Sequence, residues 1–156
     1  MKRYLIASLV VLAGTIGITV GYHRTAWAHC QVPCGIYDDP ARIASLLEDA
    51  RTINKAMAQI NGLAAKNDPQ SLNQLSRWVN TKEAHASHVI AVVAEYFLTQ
   101  KVKGVDAGAD GYPQYLEKLA MHHRVMRAAM KTKQSVDVAH ADKLAAAIRE
   151  LGRLYP

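Results

Sequence analysis

His29, Cys30 and Cys34 are the residues of this chain whose types and spacing could hold a transition metal, within the passage His29-Cys30-Gln31-Val32-Pro33-Cys34-Gly35-Ile36-Tyr37. The passage follows a small-residue cleavage pattern, Ala26-Trp27-Ala28. If the chain is cut after Ala28, His29 becomes a terminus with a free α-amine beside its imidazole. That amine and the amide nitrogen of Cys30 are two carbons apart, so both can bind one metal in a five-membered chelate ring. The same amide nitrogen and the Cys30 sulfur are equally spaced, giving a second, fused ring. These three donors lie naturally in one plane. Cys34 closes the fourth planar position if Val32-Pro33 turns the chain back, because proline fixes its own φ and restricts the residue before it. The His29 imidazole is left to reach the metal from above.

Two nitrogens and two sulfurs in a plane suit Ni(II) or Cu(II) better than tetrahedral zinc. Thiolates and a deprotonated amide lower the potential of a Ni(III)/Ni(II) couple, and an axial imidazole stabilises the oxidised state further. Everything depends on the free amine, since a preceding peptide bond turns that donor into a poor amide. Two cysteines in an exported protein also suggest a disulfide. A Cys30–Cys34 bridge would close a tiny loop and staple nothing to a core, whereas stabilising bridges close longer ones. The cysteine pair alone leaves both readings open; the adjoining histidine and cleavage pattern favour the metal. A c-type haem needs Cys-x-x-Cys-His, a spacing absent here, and the common amino-terminal copper site needs histidine where Gln31 stands.

The first 28 residues have the three parts of a secretory signal: Lys2 and Arg3, the apolar Leu5 to Val20, and Ala26-x-Ala28. The apolar run includes Gly14, Thr15, Gly17 and Thr19 and falls short of the ~20 residues of a spanning helix, which disfavours an uncleaved anchor. Residues 1–28 are therefore expected to be a removable leader, and residues 29–156 one domain in a periplasmic or extracellular bacterial protein with no membrane attachment after cleavage. The leader holds Lys2, Arg3 and Arg24 and no acids, so its removal lowers the formal charge from +6 to +3. The remaining lysines and arginines are dispersed, which leaves no nucleic-acid footprint. A mild positive balance still favours the approach of a small anion.

Strand signals are poor and helical ones good. Asp39-Pro40 reads as an N-cap with proline at the first helical position. Ile43, Leu46, Leu47, Ala50, Ile53, Met57, Ile60 and Leu63 then recur at three- and four-residue steps. Asn67-Asp68-Pro69 ends this helix and caps a second, whose stripe runs through Leu72, Leu75, Val79, Ala86, Val89, Val93 and Phe97, with either a continuous course or a break near Asn80. Gly104, Gly108, Gly111 and Pro113 mark a loop. A third helix carries Leu116, Leu119, Val125, Met126 and Met130, and Ser135 is the expected cap of a fourth with Val138, Leu144, Ile148 and Leu151 inward. The pattern predicts an all-α fold, an antiparallel four-helix bundle preceded by an irregular N-terminal metal-binding hook.

His29-Cys30-x-x-Pro33-Cys34-Gly35-x-Tyr37 resembles the nickel hook of the nickel-containing superoxide dismutases, with six fixed residue types over nine positions behind a removable leader. The resemblance extends over most of the mature chain, including Glu95-Tyr96-Phe97. It implies a four-helix-bundle subunit, a homohexamer, one nickel ion per subunit, and disproportionation of superoxide to oxygen and hydrogen peroxide. By motif, His29 would give amine and axial imidazole, Cys30 amide nitrogen and thiolate, and Cys34 the second thiolate. Pro33 would shape the turn, and Tyr37 would stand near the open face, limiting access and holding ordered water. Family members orient the imidazole with a first-helix carboxylate and a partner arginine. Here Ala44 falls where the acid is first sought, leaving Glu48 and Arg77 as the nearest candidates. Many relatives carry a different pro-segment removed by a dedicated peptidase, in which case this protein would be cytoplasmic.

Other groupings compete less well. Asp106-x-Gly108-x-Asp110-Gly111 with Glu117 mimics a calcium loop, but position three lacks an oxygen ligand and Pro113 replaces an apolar residue, so a plain turn is expected. His85 and His88 lie one turn apart with no carboxylate foreseen beside them, and read as exposed or core-edge histidines. His122-His123 reads as surface, and Met57, Met126 and Met130 as core filler. No Glu-x-x-His pair supports a di-iron site. The rival from another class is an exported nickel or copper carrier or sensor that binds without turnover.

Overall fold

A computed structural model of the chain describes residues 38–156. The hook and leader, and with them His29, Cys30, Cys34 and Tyr37, lie outside the described residues. Within 38–156 there are four α-helices and no strand: α1 Asp39–Leu63, α2 Pro69–Ala91, α3 Tyr112–Lys133 and α4 Val138–Gly152. No helix among the described residues is long and apolar enough to cross a membrane.

Each helix begins where the chain supplies an acceptor for its orphan amides. Asp38, not Asp39, caps α1, its carboxylate accepting from the Ala41 amide with Pro40 in the first turn. Asp68 caps α2 through the Ser71 amide, and the Ser71 hydroxyl together with that amide holds its carboxyl below the ordinary value of 3.8. Asp137 caps α4. Ser135, expected as that cap, instead accepts from the Asp137 amide and so steadies the capping residue itself. Gly111 precedes α3 with φ 89°, a left-handed conformation that costs glycine little. The acidic Asp106–Gly111 stretch is a turn, closed by the Ala109 amide donating to the Asp106 carbonyl.

The second helix passes Asn80 without interruption and changes winding at Val92, becoming a π-helix over Val92–Lys101. Its wider turn is capped by the Val102 amide on the Phe97 carbonyl, and Thr99 and Gln100 donate their side chains five residues back. Such segments are rare and often sit at functional sites. Tyr96 and Phe97 are adjacent in sequence yet both buried. They serve different neighbours: Tyr96 donates to Asp39 at the start of α1, while the Phe97 ring packs against Tyr155 and His122.

The core is built from Leu46, Ile53 and Met57 of α1, Val89, Val93 and Phe97 of the second helix, Val125 and Ala129 of α3, and Leu144, Ile148 and Leu151 of α4. α1 packs on α2 and α4, and α3 packs on the same two. The pairings have a consistent register. Along α1 and the second helix, Asp39 meets Tyr96, Asp49 meets His85 and His88, and Lys55 lies over Trp78. Along α1 and α4, Asn54 bonds Asp142, Asn61 bonds the Val136 carbonyl, and Gly152 approaches Ile43.

Several residues of the apolar stripes do not go inward. Leu72, Val79, Leu116 and Val138 are exposed, between 37% and 49%. Met57 is core as expected, whereas Met126 and Met130 are half-buried. His122, expected at the surface, is fully buried, and only His123 is exposed.

Candidate functional site

Asp38 and Asp39, the first described residues, follow Tyr37 directly. With Asp38 committed to the helix cap, the Asp39 carboxylate is left to neighbouring elements. It accepts from the Tyr96 phenol and pairs with the Lys101 ammonium at 2.7 Å. Arg42, one turn further along α1, places its guanidinium 5.4 Å from the centre of the Tyr96 ring. The start of α1 is thereby tied to the π-helical segment through one carboxylate, one phenol and two cations. The Glu95-Tyr96-Phe97 stretch singled out in the sequence lies at this junction.

A second polar cluster lies on the α1–α2 face. Asp49 is buried, and its two oxygens accept from His85 Nδ1 at 2.6 Å and from His88 Nδ1 at 2.7 Å. A carboxylate can only accept, so both imidazoles carry their proton on Nδ1 and turn Nε2 away. The expectation that no carboxylate accompanies these histidines is thus overturned. The signal was available: Asp49 occupies the same stripe as Leu46 and Ile53, and an acid on an inward face requires a partner. Among the described residues no group of three or more His, Cys, Asp or Glu side chains is arranged to hold a metal ion.

Glu48 and Arg77 are both exposed, on α1 and α2. Among the described residues no ion pair joins them, and the paired carboxylate of this region is Asp49 with histidines as its partners. Sequence reasoning also missed Lys82. Its buried ammonium donates at 2.8 Å to the carbonyls of Thr132 and Lys133 and to Glu83. A cation there satisfies the orphan carbonyls at the end of α3.

The described residues form an all-helical body, and comparison with known proteins narrows the class. The family model for nickel-containing superoxide dismutase matches residues 24–156, a span that takes in the whole passage from His29 to Tyr37. The chain belongs to that family. Its activity class is accordingly nickel-dependent superoxide dismutase, an oxidoreductase with a nickel cofactor and superoxide as substrate. Neither a curated protein nor a solved structure matches the chain.

Proposed function

We propose that the dismutase reaction of this chain takes place at nickel held by its own N-terminus after removal of residues 1–28. The donor set fits the metal: one primary amine, one amide nitrogen and two thiolates suit planar Ni(II), and an imidazole is available as a fifth ligand. His29 would provide the amine and imidazole, Cys30 the amide nitrogen and one thiolate, and Cys34 the other thiolate. Bound there, nickel supplies a one-electron couple that suits both the oxidation and the reduction of superoxide. Tyr37 would limit access at the open face and hold ordered water. The observation that carries this reading is the His29-Cys30-x-x-Pro33-Cys34-Gly35-x-Tyr37 passage, lying wholly within the matched span.

The four helices form an antiparallel bundle in this reading. Its support is the register: from Asp39 to Asp49 to Lys55 on α1, the partners descend from Tyr96 to His85 to Trp78 on the second helix. The subunit would assemble as a homohexamer, and exposed Leu72 and Val79, two turns apart on α2, offer apolar surface for a neighbouring copy. Processing would need a leader-cleaving peptidase, with export to the periplasm or beyond following from the signal-like leader.

Intact mass, metal content and superoxide consumption of natively produced protein test the proposal together. A chain beginning at His29, with one nickel and rapid turnover, is the expected result. Metal binding without turnover would favour a carrier or sensor. Activity in a chain that retains any residue ahead of His29 would overturn the N-terminal site.

A further inference from the structure

Tyr155 lies beyond α4, and its phenol donates to His122 Nε2 at 2.8 Å. The other nitrogen of the same buried imidazole, Nδ1, donates to the Lys118 carbonyl at 2.7 Å. That second bond fixes the tautomer: Nδ1 holds the proton and Nε2 is a bare acceptor. The Tyr155 ring lies 4.5 Å from Phe97, which in turn lies 5.0 Å from Tyr96, centre to centre. Tyr96 itself donates to Asp39, five residues after Cys34 in the sequence. Two phenols, each hydrogen-bonded to a base, are therefore joined through a single phenyl ring.

We propose that the Tyr155–His122 pair is a proton-coupled redox site, in which Tyr155 gives up one electron to an oxidant derived from hydrogen peroxide while its proton passes to His122. A phenol that loses an electron becomes so acidic that its proton must leave at once. Oxidation is easy only where an acceptor already touches the hydroxyl. In the step the Tyr155 O–H bond breaks, an N–H bond forms at His122 Nε2, and the electron reduces a hydroxyl radical, the one-electron reduction product of peroxide, to hydroxide. Tyr155 becomes a neutral phenoxyl radical and His122 an imidazolium. Both N–H groups of that imidazolium are satisfied where they stand, Nδ1 by the Lys118 carbonyl and Nε2 by the Tyr155 oxygen. A small reductant of the thiol or ascorbate class returns the electron, and the proton goes back to the phenol oxygen.

The environment keeps the two movements coupled. Burial pushes the Tyr155 hydroxyl up to about 12, so the phenol retains its proton until the electron leaves. Burial likewise lowers His122 from 6.5, outweighing the bond to the Lys118 carbonyl that favours the imidazolium, so the imidazole stays neutral and able to accept. Such a site would drain oxidising equivalents that peroxide, the product of the family reaction, would otherwise spend on the Cys30 and Cys34 thiolates. The dismutase reading enters only as the source of that oxidant; the redox pair itself does not depend on it.

The test uses the full-length protein, as isolated and after metal removal, oxidised by a light-generated one-electron ruthenium oxidant and examined by electron paramagnetic resonance. A tyrosyl radical is expected in both forms, with loss of its signal in Tyr155→Phe and a lower yield in deuterated water. His122→Gln should weaken the signal and alter its hydrogen-bond signature. Far-ultraviolet circular dichroism checks that the variants are folded, and ring-deuterated tyrosine in the unaltered chain shows that the radical is a tyrosyl. The same radical signal in Tyr155→Phe as in the unaltered chain, or no tyrosyl signal in that chain, would overturn the proposal. Either negative result leaves nickel-dependent turnover untouched, and a radical in a chain inactive toward superoxide would leave the pair standing without the dismutase site.

Discussion

Asp49 of α1 and His85 of α2 meet at 2.6 Å, and the carboxylate is far more buried than the imidazole that answers it. His88 occupies the second oxygen from the same helix. The acid is held inside by partners that reach it from the edge.

Replacing Asp49 by alanine removes two charge-assisted bonds at once and should cost about 2–3 kcal/mol of stability. His85→Ala or His88→Ala alone should cost less, because the other imidazole still answers the carboxylate. The double replacement should cost more than the sum of the singles, since it strands a buried acid. Urea denaturation of the four variants checks the order.

Lys82→Met tests the cation at the end of α3. The methionine keeps most of the apolar stem but leaves the Thr132 and Lys133 carbonyls without their donor. A loss of about 2 kcal/mol is expected, with amide exchange rising first in the last turn of α3. Unchanged exchange there would mean that water replaces the ammonium at no cost.

Gly152 is packed so closely that a Cβ would come 2.9 Å from Ile43 Cγ2. Ile43 is β-branched and stiff at χ1, so it yields poorly. Gly152→Ala should destabilise by about 1–2 kcal/mol despite alanine's better helix propensity. Adding Ile43→Ala should cost less than that substitution costs alone, because one methyl then fills part of the space the other vacates. Strict additivity would contradict the contact.

Two groups set opposite pH limits. His122 is lowered from 6.5 when folded, so the unfolded chain binds the extra proton and its contribution to stability is lost as pH falls below 6.5. Tyr155 is raised from 10.0 to about 12, so the unfolded chain ionises first and stability falls as pH climbs from 10.0 toward 12. His122→Phe should flatten the acid side and Tyr155→Phe the alkaline side of a plot of denaturation midpoint against pH.

Cys30→Ser and Cys34→Ser should each abolish superoxide consumption and leave helical content unchanged, because a pair four residues apart closes too short a loop to staple a core. Loss of circular dichroism in these variants would make the cysteines structural rather than metal-binding.

The helices were legible because their signals are local: Asp68-Pro69 caps where it was read to, and the stripe from Ile43 to Ile60 turns inward. Boundaries slipped where two suitable residues stand together, as with Asp38 beside Asp39, and Ser135 near Asp137. The π-helical turn leaves no trace in a three-four periodicity. Leu72 and Val79 belong to the stripe by spacing, yet nothing among the described residues covers them. His122 was misplaced because its partners, the Lys118 carbonyl and Tyr155, are one main-chain atom and one distant ring. The proposed metal ligands, by contrast, rest on type and spacing alone, since chelation by consecutive atoms needs no tertiary context.

The paired acids at the head of α1 divide two tasks, one closing the helix and the other mooring it to Tyr96 and Lys101. The chain thus enters the body at a clamped threshold. Loading or stripping nickel at the proposed His29 site should then have little leverage on the helices beyond that point. The calorimetric melting temperature of the helical body should accordingly be the same with and without metal, and a large difference would show that the clamp transmits strain.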